Sequence, residues 1–332
     1  MPSTSTWVWT STDPRRRALL AWIAAGAAAS GGLPGTARAQ APPGEVRIGY
    51  QKGSAILVLA RKQQGIEARL KALGVPSVKW VEFQFGPPML EAMAAGAVDI
   101  GSVGDTPPIF AQSAGSPLVY VASTPSAQHA VLVPRGSSIK TLADLKGKRL
   151  AFGKGSSAQN VAIKALALGG LSVKDVQLVY LSPADATAAF NGGNIDAWVV
   201  WDPYFAIAEQ HYNARVIADT SDTRLASASY YLAREDFAAK YPAVLSATLD
   251  EIGRITRWSG EHRDELAALA AEATGIDTTT WSIAFGRAEY TFGSVTPAQV
   301  AQQQELADTL QSLGIIPRKI HVSDVVWQPP KR

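Results

Sequence analysis

From residue 45 onward, short runs rich in β-branched and aromatic residues alternate with stretches of helical periodicity, and this alternation limits the fold most. It is typical of α/β proteins, in which helices connect the strands of a largely parallel sheet. The predicted strands are 45–50, 78–83, 98–101, 118–122, 130–134, 149–152, 176–181, 195–200 and 230–233. The predicted helices are 54–73, 87–95, 157–168, 241–258, 261–272 and 297–313, and the chain after about residue 235 reads as almost wholly helical.

A short pattern occurs twice and suggests two similarly built halves. Gly96-Ala97-Val98-Asp99 and Gly193-Asn194-Ile195-Asp196 each join a helix to a short strand. A second aspartate follows six residues after the first in each copy, at Asp105 and at Asp202, before a proline and a new helix. The repeat predicts two lobes, each an open and mostly parallel sheet flanked by helices. The alternative is a coincidence between two common strand–helix turns.

The first 39 residues have the pattern of an export signal. Arg15-Arg16-Arg17 precedes an apolar run, 18–29, that is too short to cross a bilayer. The small-residue cleavage site Ala37-Arg38-Ala39 follows, so Gln40 is the predicted first residue of the mature protein. The arginines fit a twin-arginine signal as well as an ordinary secretion signal, and both routes lead to the periplasm.

Charge and composition exclude several kinds of site. The net charge of +3 lies entirely within the signal, and a neutral mature chain argues against nucleic acid or a membrane surface as partner. The chain has no cysteine, which removes disulfides, thiolate metal sites and cysteine nucleophiles. We expect no metal and no cofactor, because no two histidines have ligand spacing; they stand at His129, His211, His262 and His321.

Polar turns follow several predicted strands. In an open parallel sheet, the strand carboxyl ends and the helix N-termini share one edge, where ligands bind. Unpaired N–H groups and the helix dipole favour an anion there, although capping alone explains any single turn. The turns are Gly86-Pro87-Pro88, Gly104-Asp105-Thr106-Pro107-Pro108, Gly155-Ser156-Ser157 and Trp201-Asp202-Pro203.

Within these turns, Thr106 and Asp202 are the predicted helix caps. Thr106 and Gly155-Ser156-Ser157 are the strongest candidates to donate to ligand oxygens, because they offer hydroxyl and backbone N–H groups. Trp201 ends an apolar strand and either lines a pocket for an alkyl or aryl group or covers core. The motifs of phosphate-binding loops, serine hydrolases and zinc proteases are missing, so the residues give no indication of catalysis.

These motifs resemble the aliphatic sulfonate-binding proteins of bacterial ABC importers, in the group that also binds taurine, nitrate and thiamine precursors. The turns Gly104-Asp105-Thr106-Pro107-Pro108 and Trp201-Asp202-Pro203-Tyr204 are its most specific parts. Similarity extends over essentially the whole mature chain. The other matching segments are Gly49-Tyr50-Gln51-Lys52-Gly53, Glu82-Phe83-Gln84-Phe85-Gly86-Pro87-Pro88, Asp144-Leu145-Lys146-Gly147-Lys148, Lys154-Gly155-Ser156-Ser157, Pro183-Ala184-Asp185-Ala186, Asp196-Ala197-Trp198, Gln302-Gln303-Gln304 and Trp327-Gln328-Pro329.

The resemblance implies a two-lobed periplasmic-binding-protein fold of type II. We expect lobe 1 to comprise 45–128 and 222–332, with the C-terminal helices, and lobe 2 to comprise 129–221. A small organosulfonate anion would bind between the lobes and pass to an ABC permease with a cytoplasmic ATPase. We expect the protein to be a monomer and not an enzyme.

Carried onto this sequence, the resemblance implies ligand contacts from Gln51 and Thr106 in the first lobe, and from Ser156, Ser157 and Trp201 in the second. Asp105 and Asp202 also match. Because a carboxylate repels an anion, these two would orient donors or bind an amino group, as on taurine. Neutral donors suit a sulfonate, which stays ionised and has three acceptor oxygens but no proton to donate.

Several alternatives remain open on the sequence alone. The ligand could be taurine, a sulfate ester, nitrate or a thiamine precursor, and the protein could be an exported sensor module. Enzymes on this fold include a desulfinase that relies on cysteine and a pyrimidine-precursor synthase with a histidine-rich centre. This chain has no cysteine and only four dispersed histidines, so neither enzyme type fits.

Overall fold

The computed structural model describes residues 41–329. The predicted signal at 1–39, its cleavage site and the start of the mature chain at Gln40 lie outside the described residues and stay predictions. Within 41–329, no helix is both long enough and apolar enough to cross a bilayer.

Ten strands and twelve α-helices follow one another along the described residues. The strands are β1 Val46–Gln51, β2 Val78–Phe83, β3 Ile100–Gly104, β4 Leu118–Pro125, β5 His129–Pro134, β6 Arg149–Phe152, β7 Gln177–Tyr180, β8 Ala197–Trp201, β9 Ala214–Asp219 and β10 Ala228–Arg234. The helices are α1 Ala55–Gln63, α2 Gly65–Lys71, α3 Gly86–Ala94, α4 Thr106–Ser113, α5 Ser157–Leu168, α6 Pro183–Asn191, α7 Tyr204–His211, α8 Glu235–Lys240, α9 Pro242–Glu261, α10 Arg263–Thr274, α11 Thr278–Arg287 and α12 Pro297–Ser312.

The strands form two five-stranded mixed sheets with equivalent arrangements of parallel and antiparallel strands. The first runs β2-β1-β3-β10-β4 and the second runs β7-β6-β8-β5-β9. Strands β1, β2 and β3 are parallel, as are β6, β7 and β8, whereas β10 and β5 run antiparallel to both of their neighbours. The prediction of two open, mostly parallel sheets is confirmed.

The chain crosses between the sheets twice, at 126–128 before β5 and at 220–227 before β10. Each crossing supplies the antiparallel strand of the sheet that it enters. This arrangement supports the predicted lobe limits, 45–128 with 222–332 and 129–221, which stay a prediction.

Helices cover both faces of each sheet. Apolar side chains of α1, α2 and α8 to α11 pack on one face of the first sheet, and those of α3, α4 and α12 pack on the other. In the second sheet, α5 packs on one face, and α6 and α7 pack on the other. Because all faces are covered, the polar edges of the two sheets are the places where a ligand can enter.

The repeated Gly-x-x-Asp pattern builds the same contact in both sheets. Asp99 accepts the backbone N–H of Arg47 at 2.8 Å, and the guanidinium of Arg47 binds this carboxylate and the carbonyl of Gly96. Arg149 makes the corresponding bonds to Asp196 and to the glycine of its own copy. The first aspartate of each copy therefore fixes neighbouring strand starts, at the edge opposite to the predicted ligand edge.

Two sequence predictions of elements were wrong. The predicted helix 54–73 is two helices, because Gln64 adopts a left-handed conformation with φ 56° and ends α1. Strand β9 was missed; it is an edge strand whose residues are all half-buried, so its sequence lacks the alternation of apolar and polar residues that marks a strand.

The pseudo-symmetric ion pairs give a matched test of burial. The side chain of Asp99 is 1% exposed and that of Asp196 is 31% exposed. We expect Asp99→Asn to lower the free energy of unfolding by about 3 kcal/mol, because it leaves two partly buried arginines, Arg47 and Arg234, without this buried charge partner. Asp196→Asn should cost less than about 1 kcal/mol. Urea denaturation measures both, and equal losses would contradict the explanation by burial.

Candidate functional site

A cleft of about 1130 Å³, partly open to solvent, lies where the edges of the two sheets face each other. The ends of β1, β3, β4 and β8 and the starts of α1, α3 and α5 line it. Helices α9 and α11 add a wall on one side. The cleft therefore lies at the strand carboxyl ends and helix N-termini, where the sequence analysis predicted that a ligand binds.

Five of the eight predicted site residues line this cleft, and three lie outside its lining. The five are Gln51, Ser156, Ser157, Trp201 and Asp202. Asp105 and Thr106 are buried behind the cleft. The N–H of Gly155 is buried and already has an acceptor, because it donates to the side-chain oxygen of Gln159 at 2.7 Å.

Asp105 is the centre of a polar junction between the lobes. Its carboxylate accepts from Thr106 Oγ1 at 2.9 Å, from Asn160 Nδ2 on α5 at 2.7 Å and from Ser227 Oγ at 2.9 Å. Burial raises the pKa of Asp105, and these three hydrogen bonds oppose that rise. The carboxylate therefore joins the first sheet to α5 and to one of the two crossings.

The predicted cap at Thr106 was wrong. Thr106 is the first residue of α4, Asp105 holds the cap position, and no side chain accepts a backbone N–H there. The reason is that Pro107 and Pro108 have no N–H for a cap to bind. The same lack of donors applies to Pro87 and Pro88 in α3, so these two helix starts offer an anion fewer N–H groups than the sequence analysis assumed.

The start of α5 retains its donors. Ser157 and Ala158 are its first two residues, and their N–H groups have no acceptor inside the helix. The hydroxyl of Ser156 donates to the carbonyl of Gly153 at 2.7 Å. Backbone N–H groups, rather than the hydroxyl of Ser156, are thus the donors that this turn presents.

The start of α1 also lines the cleft, and sequence reasoning missed it. The lining includes Gly53, Ser54, Ala55 and Ile56. Gln51, just before them, donates its side-chain amide to the carbonyl of Ser102 at 3.0 Å. The signal was available in the sequence, because a glycine and a serine follow β1 just as they follow β6.

His129, which was not selected from the sequence, lies buried beside Ser157. Its Nδ1 is 2.8 Å from the carbonyl oxygen of Ala127, and its Nε2 is 2.8 Å from Ser157 Oγ. Because a carbonyl only accepts, Nδ1 carries the hydrogen, and Nε2 accepts from the Ser157 hydroxyl. Burial lowers the pKa of His129 to about 4, although its bond to Ala127 opposes this shift.

Asp202 lines the cleft at the end of β8. Its Oδ1 accepts the N–H of Ala206 at 3.0 Å, and α7 begins only at Tyr204. The predicted cap was therefore misplaced: the cap position is Pro203, which has no polar side chain, so the carboxylate of Asp202 binds the first turn from one residue further out. Burial raises the pKa of Asp202 to about 6, and Arg287 of α11, whose Nη1 is 3.7 Å from Oδ2, opposes the rise.

The remaining wall of the cleft is apolar. Trp201 faces it from the second lobe, and α11 contributes Trp281, Ala284 and Phe285. Among the described lining residues there is no lysine or arginine, and the only acidic ones are Asp202 and Glu289. Residues 41–329 contain no cluster of three or more side chains suited to a metal ion. The cleft thus combines neutral donors with an apolar surface.

The lobes approach each other closely at two glycines. A Cβ atom on Gly104 would lie 2.6 Å from Ser157 Cβ, and one on Gly53 would lie 3.2 Å from Pro203 Cδ. Main chain of one lobe therefore touches the other lobe on both sides of the cleft. Any side chain at Gly104 would have to displace α5.

Comparison with known proteins identifies the family of this chain. Residues 39–275 match the model of the NMT1-like family. The chain belongs to the NMT1-like family. A protein of Escherichia coli K12, named as an aliphatic sulfonates-binding protein, is 42% identical over 297 residues, which are 88% of this chain and 91% of that protein.

Solved structures agree with this relationship. The alkanesulfonate-binding protein SsuA from Xanthomonas axonopodis pv. citri, bound to MOPS, matches with a TM-score of 0.82 and 34% identity, over 86% of this chain and 99% of that one. The periplasmic aliphatic sulphonate binding protein SsuA from Escherichia coli matches with a TM-score of 0.78 and 40% identity, over 88% and 94% of the chains. The predicted resemblance and the two-lobed fold are confirmed. A desulfurization enzyme, DSZB, at 16% identity and a TM-score of 0.59, shares the fold alone.

Proposed function

We propose that this protein captures an organosulfonate in the cleft and delivers it to an ABC permease with a cytoplasmic ATPase. The observation that carries the proposal is the lining of the cleft, in which helix starts with unpaired N–H groups lie near an apolar wall. The described lining residues include no lysine or arginine. A sulfonate has the same two parts, an ionised head with three acceptor oxygens and an apolar tail.

The helix starts supply the head group with what it needs. The first N–H groups of α1 and α5 lack acceptors inside their helices, although that of Ala55 donates to the carbonyl of Gly53 at 3.1 Å. Each helix start carries about half a positive charge. Two such ends offset most of one negative charge without a buried cation. Because the sulfonate has no proton to donate, the cleft needs no acceptor for it.

We assign the predicted site residues to two groups. Ser156, Ser157 and Gln51 lie around the head group, and Trp201 lies beside the tail. Asp105, Thr106 and Gly155 act from behind the cleft and hold α4 and α5 in place. Asp202 Oδ2 is buried, has no hydrogen-bond partner among the described residues and lies 3.7 Å from Arg287 Nη1, so it can still accept from the amino group of an aminoalkyl sulfonate.

The relatives support the role in transport. Two of them are named as sulfonate-binding proteins, and the Escherichia coli SsuA structure is described as periplasmic. We infer that this protein acts in the periplasm as a monomer, after export by a secretion or twin-arginine signal. The four dispersed histidines and the lack of cysteine support a binding protein rather than an enzyme.

A ligand panel tests the proposal. The purified mature protein is mixed with hexanesulfonate, taurine, a sulfate ester, nitrate and a thiamine precursor, and tryptophan emission is followed because Trp201 and Trp281 line the cleft. We expect hexanesulfonate to bind most tightly, since each buried methylene contributes about 0.8 kcal/mol. Nitrate has no tail to bury and should bind weakly. A response to nitrate with none to hexanesulfonate would rule out the sulfonate assignment.

A second test concerns closure. Gly104→Ala places a methyl group where it would overlap Ser157, and we expect it to disfavour the closed cleft by about 1–3 kcal/mol and to weaken hexanesulfonate accordingly. Calorimetric titration measures the affinity, and small-angle scattering measures compaction on adding ligand. The matched control is Gly136→Ala, because an added Cβ there meets nothing within 4 Å. Equal affinities for the two variants would show that this contact does not matter for binding.

A further inference from the structure

The Ser157 hydroxyl faces the wrong way for an anion. His129 keeps its hydrogen on Nδ1 for the carbonyl of Ala127, so its Nε2 can only accept, and the hydroxyl of Ser157 turns toward it. In this arrangement Ser157 presents lone pairs, not a proton, to the cleft. An anion beside Ser157 would meet its N–H group but would be repelled by its hydroxyl oxygen.

One proton on His129 would reverse this arrangement. With a hydrogen on both ring nitrogens, Nε2 donates to Ser157 Oγ, and the serine hydroxyl becomes free to donate to a ligand oxygen. The imidazolium also places a positive charge next to the anion. A sulfonate cannot take up this proton itself, since it remains ionised at any physiological pH.

We propose that His129 is a positioning residue for the anion site, and that it takes up a proton when a sulfonate binds. The inference rests on the proposed function. The imidazole is fully enclosed, which holds it neutral in the empty cleft, and a neighbouring anion opposes that effect. Binding should therefore raise the pKa of His129, and affinity should increase as pH falls.

Other titratable groups lie on the elements around His129. Strand β8 pairs with β5 and is followed directly by Asp202. Strand β9 also pairs with β5 and ends in Asp219, which accepts the N–H of Ser221. Helix α5 carries Lys164, which lowers the pKa of His129. The same helix contacts Asp105 through Asn160. Glu289 also lines the cleft. The effect of Asp202 on affinity must be distinguished from that of His129, because Asp202 has a pKa of about 6 and titrates within the pH range of the experiment.

Calorimetric titration with hexanesulfonate, in buffers that contain no sulfonate group, tests the inference. Between about pH 7.5 and about pH 5 we expect the dissociation constant to fall about tenfold, with net uptake that approaches one proton. Repeating each titration in two buffers of different ionisation enthalpy measures that uptake.

Three variants show which side chain takes up the proton when the ligand binds. His129→Asn retains a donor for the carbonyl of Ala127 but cannot bind a proton, and its affinity should not change with pH. The affinity of Asp202→Asn should change with pH as much as that of the wild type. His321→Asn is the matched control, because this histidine is exposed and lies outside the cleft lining.

Each result decides between the alternatives. A slope that persists in His129→Asn, or that disappears in Asp202→Asn, would overturn the role of His129, as would a flat profile in the wild type. If His129→Asn does not fold, nitrogen NMR of histidine-labelled wild type tests the same point. At about pH 5.5, adding ligand should convert one histidine from the neutral form to imidazolium. A ring that stays neutral would overturn the inference. No binding of hexanesulfonate at any pH would instead overturn the proposed function and this inference with it.

Discussion

Main-chain contact between the two lobes is the constraint on which the cleft depends. Gly104 faces Ser157 so closely that an added Cβ would lie 2.6 Å from the Cβ of Ser157, and Gly53 faces Pro203 in the same way. Because the two glycines carry no side chains that would separate the lobes, the starts of α1 and α5 can share one small space. The carboxylate of Asp105 secures this approach from behind by binding α5.

Equivalent aspartates of the Gly-x-x-Asp repeat have different roles at the ligand edge. Asp99 and Asp196 make corresponding contacts with Arg47 and Arg149, and Asp99 also pairs with Arg234 at 3.4 Å. At the ligand edge the symmetry ends: Asp105 is fully bonded between the lobes, whereas Asp202 keeps one oxygen without a hydrogen-bond partner in the described structure. A cleft between two similar lobes can therefore hold an asymmetric ligand.

The fold could be predicted from the sequence because strand and helix periodicity and the Gly-x-x-Asp repeat are local signals. The apolar wall could not, since Trp281, Ala284 and Phe285 have the same spacing on α11 as residues that fill a core. Their place at the cleft is decided by tertiary packing. His129 was missed for a related reason, because only its contacts with Ala127 and Ser157 distinguish it from an ordinary strand residue.

The donors of the site were predicted only in part. The Gly155-Ser156-Ser157 turn does open a helix at the cleft, as expected for a strand–helix turn. The sequence does not show which hydrogen atoms are already engaged: the hydroxyl of Ser156 is bound to Gly153, and the N–H of Gly155 is bound to Gln159. Such internal bonds depend on three-dimensional geometry.

The most direct test is a long-wavelength crystallographic map of the protein with hexanesulfonate, in which sulfur atoms appear as anomalous peaks. The chain has no cysteine and three methionines, of which only Met89 and Met93 follow the predicted signal, so the ligand sulfur would be easy to identify. The account predicts a third peak within about 4 Å of the backbone nitrogen of Ser157, the distance set by one N–H···O bond and one S–O bond. A sulfur peak outside the cleft, or inside it but away from the starts of both α1 and α5, would contradict the account.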